Sequence, residues 1–141
     1  MEYYQIAAKW LADKLRNPSV EDFYVGEEGT IGYIAQLLGY MLAKEFKPTE
    51  EAINAFESAL AEEIKRNVEL YKNTAVIRID YHPEGILCCV LNKVKLDPNC
   101  LPKKVVIRAN NDVVTVNIGG RCGRHLTLYE SPDYLEMMNI P

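Results

Sequence analysis

The sequence predicts an α+β fold: a three-helix N-terminal half packed on a C-terminal antiparallel meander of about five strands, closed by a short last helix. Apolar residues recur at helical spacing up to about residue 72 and at alternate positions after it. The later segments are joined by hairpin-length connections rich in Gly, Pro, Asn and Asp. The 141 residues, 48% hydrophobic and 26% charged, suit a single domain (1–141) made of a helical half (1–72) and a sheet half (73–141).

The first helix is expected from Tyr4 to about Arg16, with Ile6, Ala7, Trp10, Leu11 and Leu15 on one face. Asn17-Pro18 stops it, because proline disfavours helical geometry in the residue before it. Ser19 to Gly29 reads as an acidic loop anchored by Phe23, Tyr24 and Val25. Thr30 reads as the N-cap of a second helix running to about Phe46. Ile31, Tyr33, Ile34, Leu37, Leu38, Tyr40, Met41 and Leu42 make that helix apolar nearly all round, the pattern of a buried helix. Ala35, Gly39 and Ala43 add a stripe of small residues. The expectation is therefore a central helix in which Leu38→Ala destabilises by ~2–5 kcal/mol. Thr49 caps a third helix, whose buried line is Ile53, Phe56, Leu60 and Ile64. Its other side carries Glu50, Glu51, Glu57, Glu62 and Glu63, the first two where the helix dipole favours acids.

From Thr74 the period becomes two. Ala75, Ile77, Ile79 and Tyr81 alternate with Val76, Arg78 and Asp80, as a half-buried strand requires. His82-Pro83-Glu84-Gly85 has the composition of a type I turn, and Ile86 to Val94 reads as the return strand. That strand would point Cys88 and Cys89 to opposite faces, with at least one in the core. Lys104–Ala109 and Val113–Ile118 flank Asn110-Asn111-Asp112, residues that tolerate the positive φ of a tight hairpin. The glycine loop Gly119–Gly123 leads into a fifth strand, Arg124 to Tyr129, and Ser131-Pro132-Asp133 starts a last helix through Met138.

Charge divides the chain. Residues 1–72 carry a net −5, whereas residues 86–128 carry a net +5 within a total of −4. Opposite halves of this kind attract one another, and they also steer partners at long range. The N-terminal Met1-Glu2-Tyr3-Tyr4 does not read as an export signal, so the expected location is cytoplasmic and the four cysteines are expected to stay reduced. The longest uncharged run, Gly29 to Ala43, is shorter than the ~20 residues of a membrane span.

Two classes of function follow. The first is a non-enzymatic interaction protein, an inhibitor or adaptor, docking a basic partner protein through the acidic, tyrosine-rich helical half. Glu50, Glu57, Glu62 and Glu63 are its binding residues, and a homodimer is the self-association version of the same idea. In size and in its acidic helices the chain resembles, in a general way, small accessory proteins of bacterial mobile elements. The second class is a binder or hydrolase of a phosphorylated small ligand or nucleotide. Its site is the Gly119–Arg124 loop, where Arg121, Arg124 and His125 supply donors and Lys103, Lys104 and Arg108 extend the field. No metal or other cofactor is expected. Zinc is the runner-up, from Cys122-x-x-His125 joined by Cys100 and His82, half of the usual two-pair ligand motif.

Overall fold

A computed structural model describes residues 1–139. Its centre is a five-stranded antiparallel sheet of β1 (Ala75–Asp80), β2 (His82–Gly85), β3 (Lys104–Ala109), β4 (Val113–Ile118) and β5 (Arg124–Glu130). The strands lie in the order β2-β1-β3-β4-β5. Alternation of side chains along each strand sends Ile77, Ile79, Val105, Ile107, Val114, Val116 and Ile118 to one face, where all are buried. Helices α1 (Tyr3–Arg16) and α3 (Glu50–Tyr71) cover that face. Ala7, Ala8, Leu11, Ala12 and Leu15 of α1 meet Ile53, Phe56, Leu60 and Ile64 of α3 in one continuous cluster with the strands. No described helix is long and apolar enough to cross a membrane.

Ion pairs fasten the helical layer. The Arg16 guanidinium donates from Nε to Glu50 (2.8 Å) and from Nη2 to Glu57 (2.7 Å), tying the end of α1 to the start of α3. Its own helix supplies Asp13, 2.7 Å from Nη1. Those hydrogen bonds to Glu50 and Glu57 raise the pKa of Arg16 above its ordinary value. Thr49 caps α3 by accepting from the Ala52 N–H, and its side-chain oxygen thereby satisfies one of the four free donors of the first turn.

The sequence misleads in the stretch after β1. The chain reverses at Tyr81, whose φ of +65° is rare for an aromatic residue, and His82–Gly85 pairs with β1 as a short edge strand instead of forming the expected turn. Ile86–Val94 is not a return strand but a helix, α4. Leu87, Val90 and Leu91 are buried at helical spacing, while Cys88 and Cys89 are both exposed. Nine mostly apolar residues fit either reading by pattern; packing of Leu87, Val90 and Leu91 into the cluster beside α3 and β1 goes with the helix. Lys93 of α4 reaches Glu63 of α3 at 2.7 Å and holds that carboxyl below its usual range. A depressed carboxyl pKa stabilises the fold above the ordinary carboxylate range, and the contribution is lost as pH falls through the lowered value. β1 takes β3 as its other neighbour, so the sheet is not a simple meander. The β3–β4 hairpin needs no positive φ at Asn110–Asp112. Instead the Asn110 side-chain oxygen accepts from the N–H groups of Asp112 and Val113. The C-terminal α5 (Pro132–Met138) is capped by Ser131 as expected.

The larger correction concerns α2, which spans Gly29–Glu45 with Glu28, not Thr30, at its N-cap. It is peripheral, not central. It packs on two 3-10 turns, Val20–Phe23 and Pro98–Cys100, rather than on the sheet. Its buried residues are the small ones, Gly32, Gly39 and Ala43, and a Cβ at Gly39 would lie 3.2 Å from the Phe23 ring. The large residues turn outward, with Leu38 55% exposed and Ile31 78% exposed. The expected cost of Leu38→Ala therefore belongs elsewhere. Leu60→Ala, at a fully buried position of α3, is expected to cost ~2–5 kcal/mol, and Leu38→Ala under ~1 kcal/mol. Urea melts of the two variants check the order.

Candidate functional site

The sheet has only one covered face. Along its outer face the strand registers build cross-strand rows of polar side chains. Glu84, Arg78, Val106, Asn117 and His125 are successive partners from β2 to β5. Beside them run Val76, Arg108, Thr115 and Thr127. Arg78 and Arg108 are thus diagonal neighbours on adjacent strands, ~7–8 Å apart and within joint reach of one ligand. Arg121, at the tip of the β4–β5 turn, joins them, and these three arginines with Thr115, Asn117, His125 and Thr127 line a shallow depression of about 740 Å³, which Glu84 and Val76 do not reach. Asn117 Nδ2 donates to the Gly120 carbonyl at 2.7 Å and lies 3.2 Å from His125 Nε2. That amide fixes the turn against the strand from which His125 projects.

Of the six residues expected to bind a ligand, Arg108, Arg121 and His125 line this depression. Lys104 borders it, its stem against Gly120 and its ammonium 3.8 Å from Asp80. Arg124 and Lys103 lie elsewhere. Arg124 turns to the opposite side, where Nη2 donates to the buried Asp22 at 2.9 Å. Lys14 sits 3.3 Å from the other oxygen of Asp22, so two cations from α1 and β5 pin the Val20–Phe23 turn in place. Lys103 lies under α2, its stem near Gly39, and burial lowers its ammonium pKa. Arg78 was missed in the sequence. Its alternation with Val76 and Asp80 put it on a polar face, but only the β1–β3 pairing shows that Arg108 shares that face.

The glycines of the loop serve its packing first. Gly119 and Gly120 have φ of +86° and +79°, and a Cβ at Gly119 would strike the Tyr24 ring at 2.3 Å. The Gly119 and Gly123 N–H groups already donate to the carbonyls of Lys104 and Gly120. The loop is thus a tight turn that carries Arg121, and it is not mainly a cradle of free N–H groups.

The runner-up zinc ligands do not converge. His82 and His125 stand on opposite edge strands, and Cys100 is buried in the core. Cys122 lines a different depression, with Tyr24, Gln36 and Arg124, apart from the one that His125 lines. Among the described residues no three His, Cys, Asp or Glu side chains are placed to hold one metal ion. Of the expected protein-binding carboxylates, Glu50 and Glu57 are taken by Arg16 and Glu63 by Lys93. Glu62 remains exposed and, among the described residues, unpaired.

Two measurements check these placements. Arg124→Ala leaves the buried Asp22 with one cation and should cost ~1–3 kcal/mol, whereas Arg121→Ala should change stability by under ~0.5 kcal/mol. In native protein an aromatic disulfide reagent at pH 8 should titrate Cys88, Cys89 and Cys122, which are exposed. Cys100 should react only on unfolding, because burial pushes its thiol up to about 11.

No protein-family model matches this chain, and no curated protein matches its sequence.

Proposed function

We propose that the protein is a binding protein for a phosphorylated ligand, held on the open face of its sheet by Arg78, Arg108, Arg121 and His125. The observation that carries this reading is the pairing state of the arginines. Arg16 and Arg124 are committed to carboxylates within the fold. Arg108 and Arg121, among the described residues, are not, and Arg78 has only a loose contact of 4.0 Å with Glu84. Planar guanidinium groups left free beside one another suit the bidentate geometry of phosphate oxygens. The Thr115 and Thr127 hydroxyls and the Asn117 amide lie between them as further partners.

The lining argues for binding over hydrolysis. It holds no carboxylate and no cysteine among the described residues, so no group there orients His125 as a base or anchors a metal for phosphoryl chemistry. Among the described residues it also holds no Phe, Tyr or Trp. Single-strand readers depend on such rings for base stacking, so discrete phosphate groups are the better fit.

Pyrophosphate and a mixture of nucleoside triphosphates are the probes, followed by thermal melts and calorimetry. Each charge-assisted pair is worth ~1.5–3 kcal/mol, so Arg108→Ala/Arg121→Ala should weaken binding well over tenfold. The melting midpoint of the free double variant should stay close to wild type, because both side chains are exposed. Ligand should raise the wild-type midpoint and not that of the variant, and the shift should shrink with added salt. If no phosphorylated compound moves the wild-type midpoint, the reading fails.

A further inference from the structure

The solvent side of α2 carries a ridge of Ile31, Ile34, Leu38, Met41 and Leu42, each more than a third exposed, with Tyr33 on its flank. These positions are spaced to share one helix face, and the ridge runs ~16 Å along the axis. Among the described residues nothing covers it, since α2 meets the rest of the molecule through its opposite, small-residue side. At roughly 100 Å² each, the five side chains of the ridge offer on the order of 500 Å², within the range of the largest patch on a typical monomer. Two such patches face to face would bury ~1,000 Å², the area a biological interface has to clear.

From the charges at its two ends we infer that the occupant of this ridge is a second copy of the same chain, packed helix against helix, antiparallel, about a two-fold axis near Leu38. The run Gly29–Ala43 has no charge. Glu27 and Glu28 flank its N-terminal end, and Lys44 and Lys47 flank its C-terminal end, with Glu45 between them. Antiparallel pairing sets the acidic end of each helix against the net basic end of the other, at both ends of the interface at once. A parallel pair would place like ends together. Antiparallel packing also opposes the two helix dipoles favourably. A two-fold interface needs this self-complementarity, because the same patch must serve on both sides. The flanks carry three acids to two bases, so an anionic membrane surface, which calls for a basic rim, fits the same ridge poorly. The inference is independent of the sheet face, with which the ridge shares no residue.

Light scattering after size exclusion, on the full chain at micromolar concentration, tests it. Wild type should run as a dimer. Leu38→Glu should give a monomer with unchanged circular dichroism, since the substitution sits on an exposed position. Reversing one end alone, Lys44→Glu/Lys47→Glu, should weaken the dimer about tenfold or more. Adding Glu27→Lys/Glu28→Lys to that variant should restore it, an outcome that only antiparallel pairing allows. A monomeric wild type would overturn the inference, whether or not the protein then bound anionic vesicles. So would a dimer that survives Leu38→Glu, or a charge reversal that the second reversal does not rescue. Loss of phosphate binding in Arg108→Ala/Arg121→Ala leaves all of these readings unaltered, so the two proposals fail separately.

Discussion

The architecture turns on how much sheet there is to cover and how few helices do it. Five short strands present one apolar face, and α1 and α3, with α4 beside them, close it. Once Leu11, Leu15, Phe56, Leu60 and Leu87 have joined Ile77, Ile107 and Val116 in one buried cluster, no apolar side chain of that face is left to cover. Two consequences follow directly. The outer face of the sheet stays in water and is polar, since a strand buried on one side alternates its residue types. And α2, though apolar on nearly every side, has no place in the core, so it lies against two short turns and keeps its large side chains outside.

The charged residues sort by the same logic. Where a side chain has to hold separate elements together, its partner is already within the fold. Arg16 joins α1 to α3, Lys93 joins α4 to α3, and Arg124 with Lys14 secures a turn that would otherwise hang free. Asp22 is the informative member, because a buried carboxylate is costly unless it is paired, and here two elements supply the cations. That accounting absorbs most of the acidic face of α3, which is why acidity there is weak evidence for a partner. It also isolates Arg108 and Arg121 as guanidinium groups with no carboxylate partner among the described residues.

How much of this was legible in the sequence depends on whether a pattern states its own context. The faces of α1 and α3 were, because a helix with one apolar stripe has only one side to bury. The alternation of β1, β3 and β4 was equally plain. The segment Ile86–Val94 was not: Leu87, Val90 and Leu91 satisfy a helix, yet a run of Ile, Leu, Cys and Val also satisfies a strand, and the hairpin-like His82–Gly85 favoured the wrong choice. α2 failed for a different reason. Apolarity on all sides marks a helix that must be covered, but the sequence does not say whether its own chain supplies the cover. The stripe of Ala35, Gly39 and Ala43 held the better clue, since small residues mark the side on which a backbone is approached, and Gly39 and Ala43 are buried. For the site, Arg108, Arg121 and His125 could be named from composition, but Arg78 could be joined to them only through the strand order.

The two open surfaces have a joint consequence. The ridge of α2 and the cationic face of the sheet have no residue in common, so pairing through the ridge leaves the sheet face of each copy accessible. A dimer formed in this way would carry two sets of free arginines in a fixed relation. A single phosphate group would gain nothing from the arrangement. A ligand bearing several phosphates, long enough to span both faces, would meet the second set at a high effective concentration once the first was engaged, and its affinity would exceed that of either face alone. Covering of α2 by a second copy and phosphate recognition on the sheet are separate proposals, and their combination favours a multiply phosphorylated ligand over a single phosphate only where one molecule spans both faces.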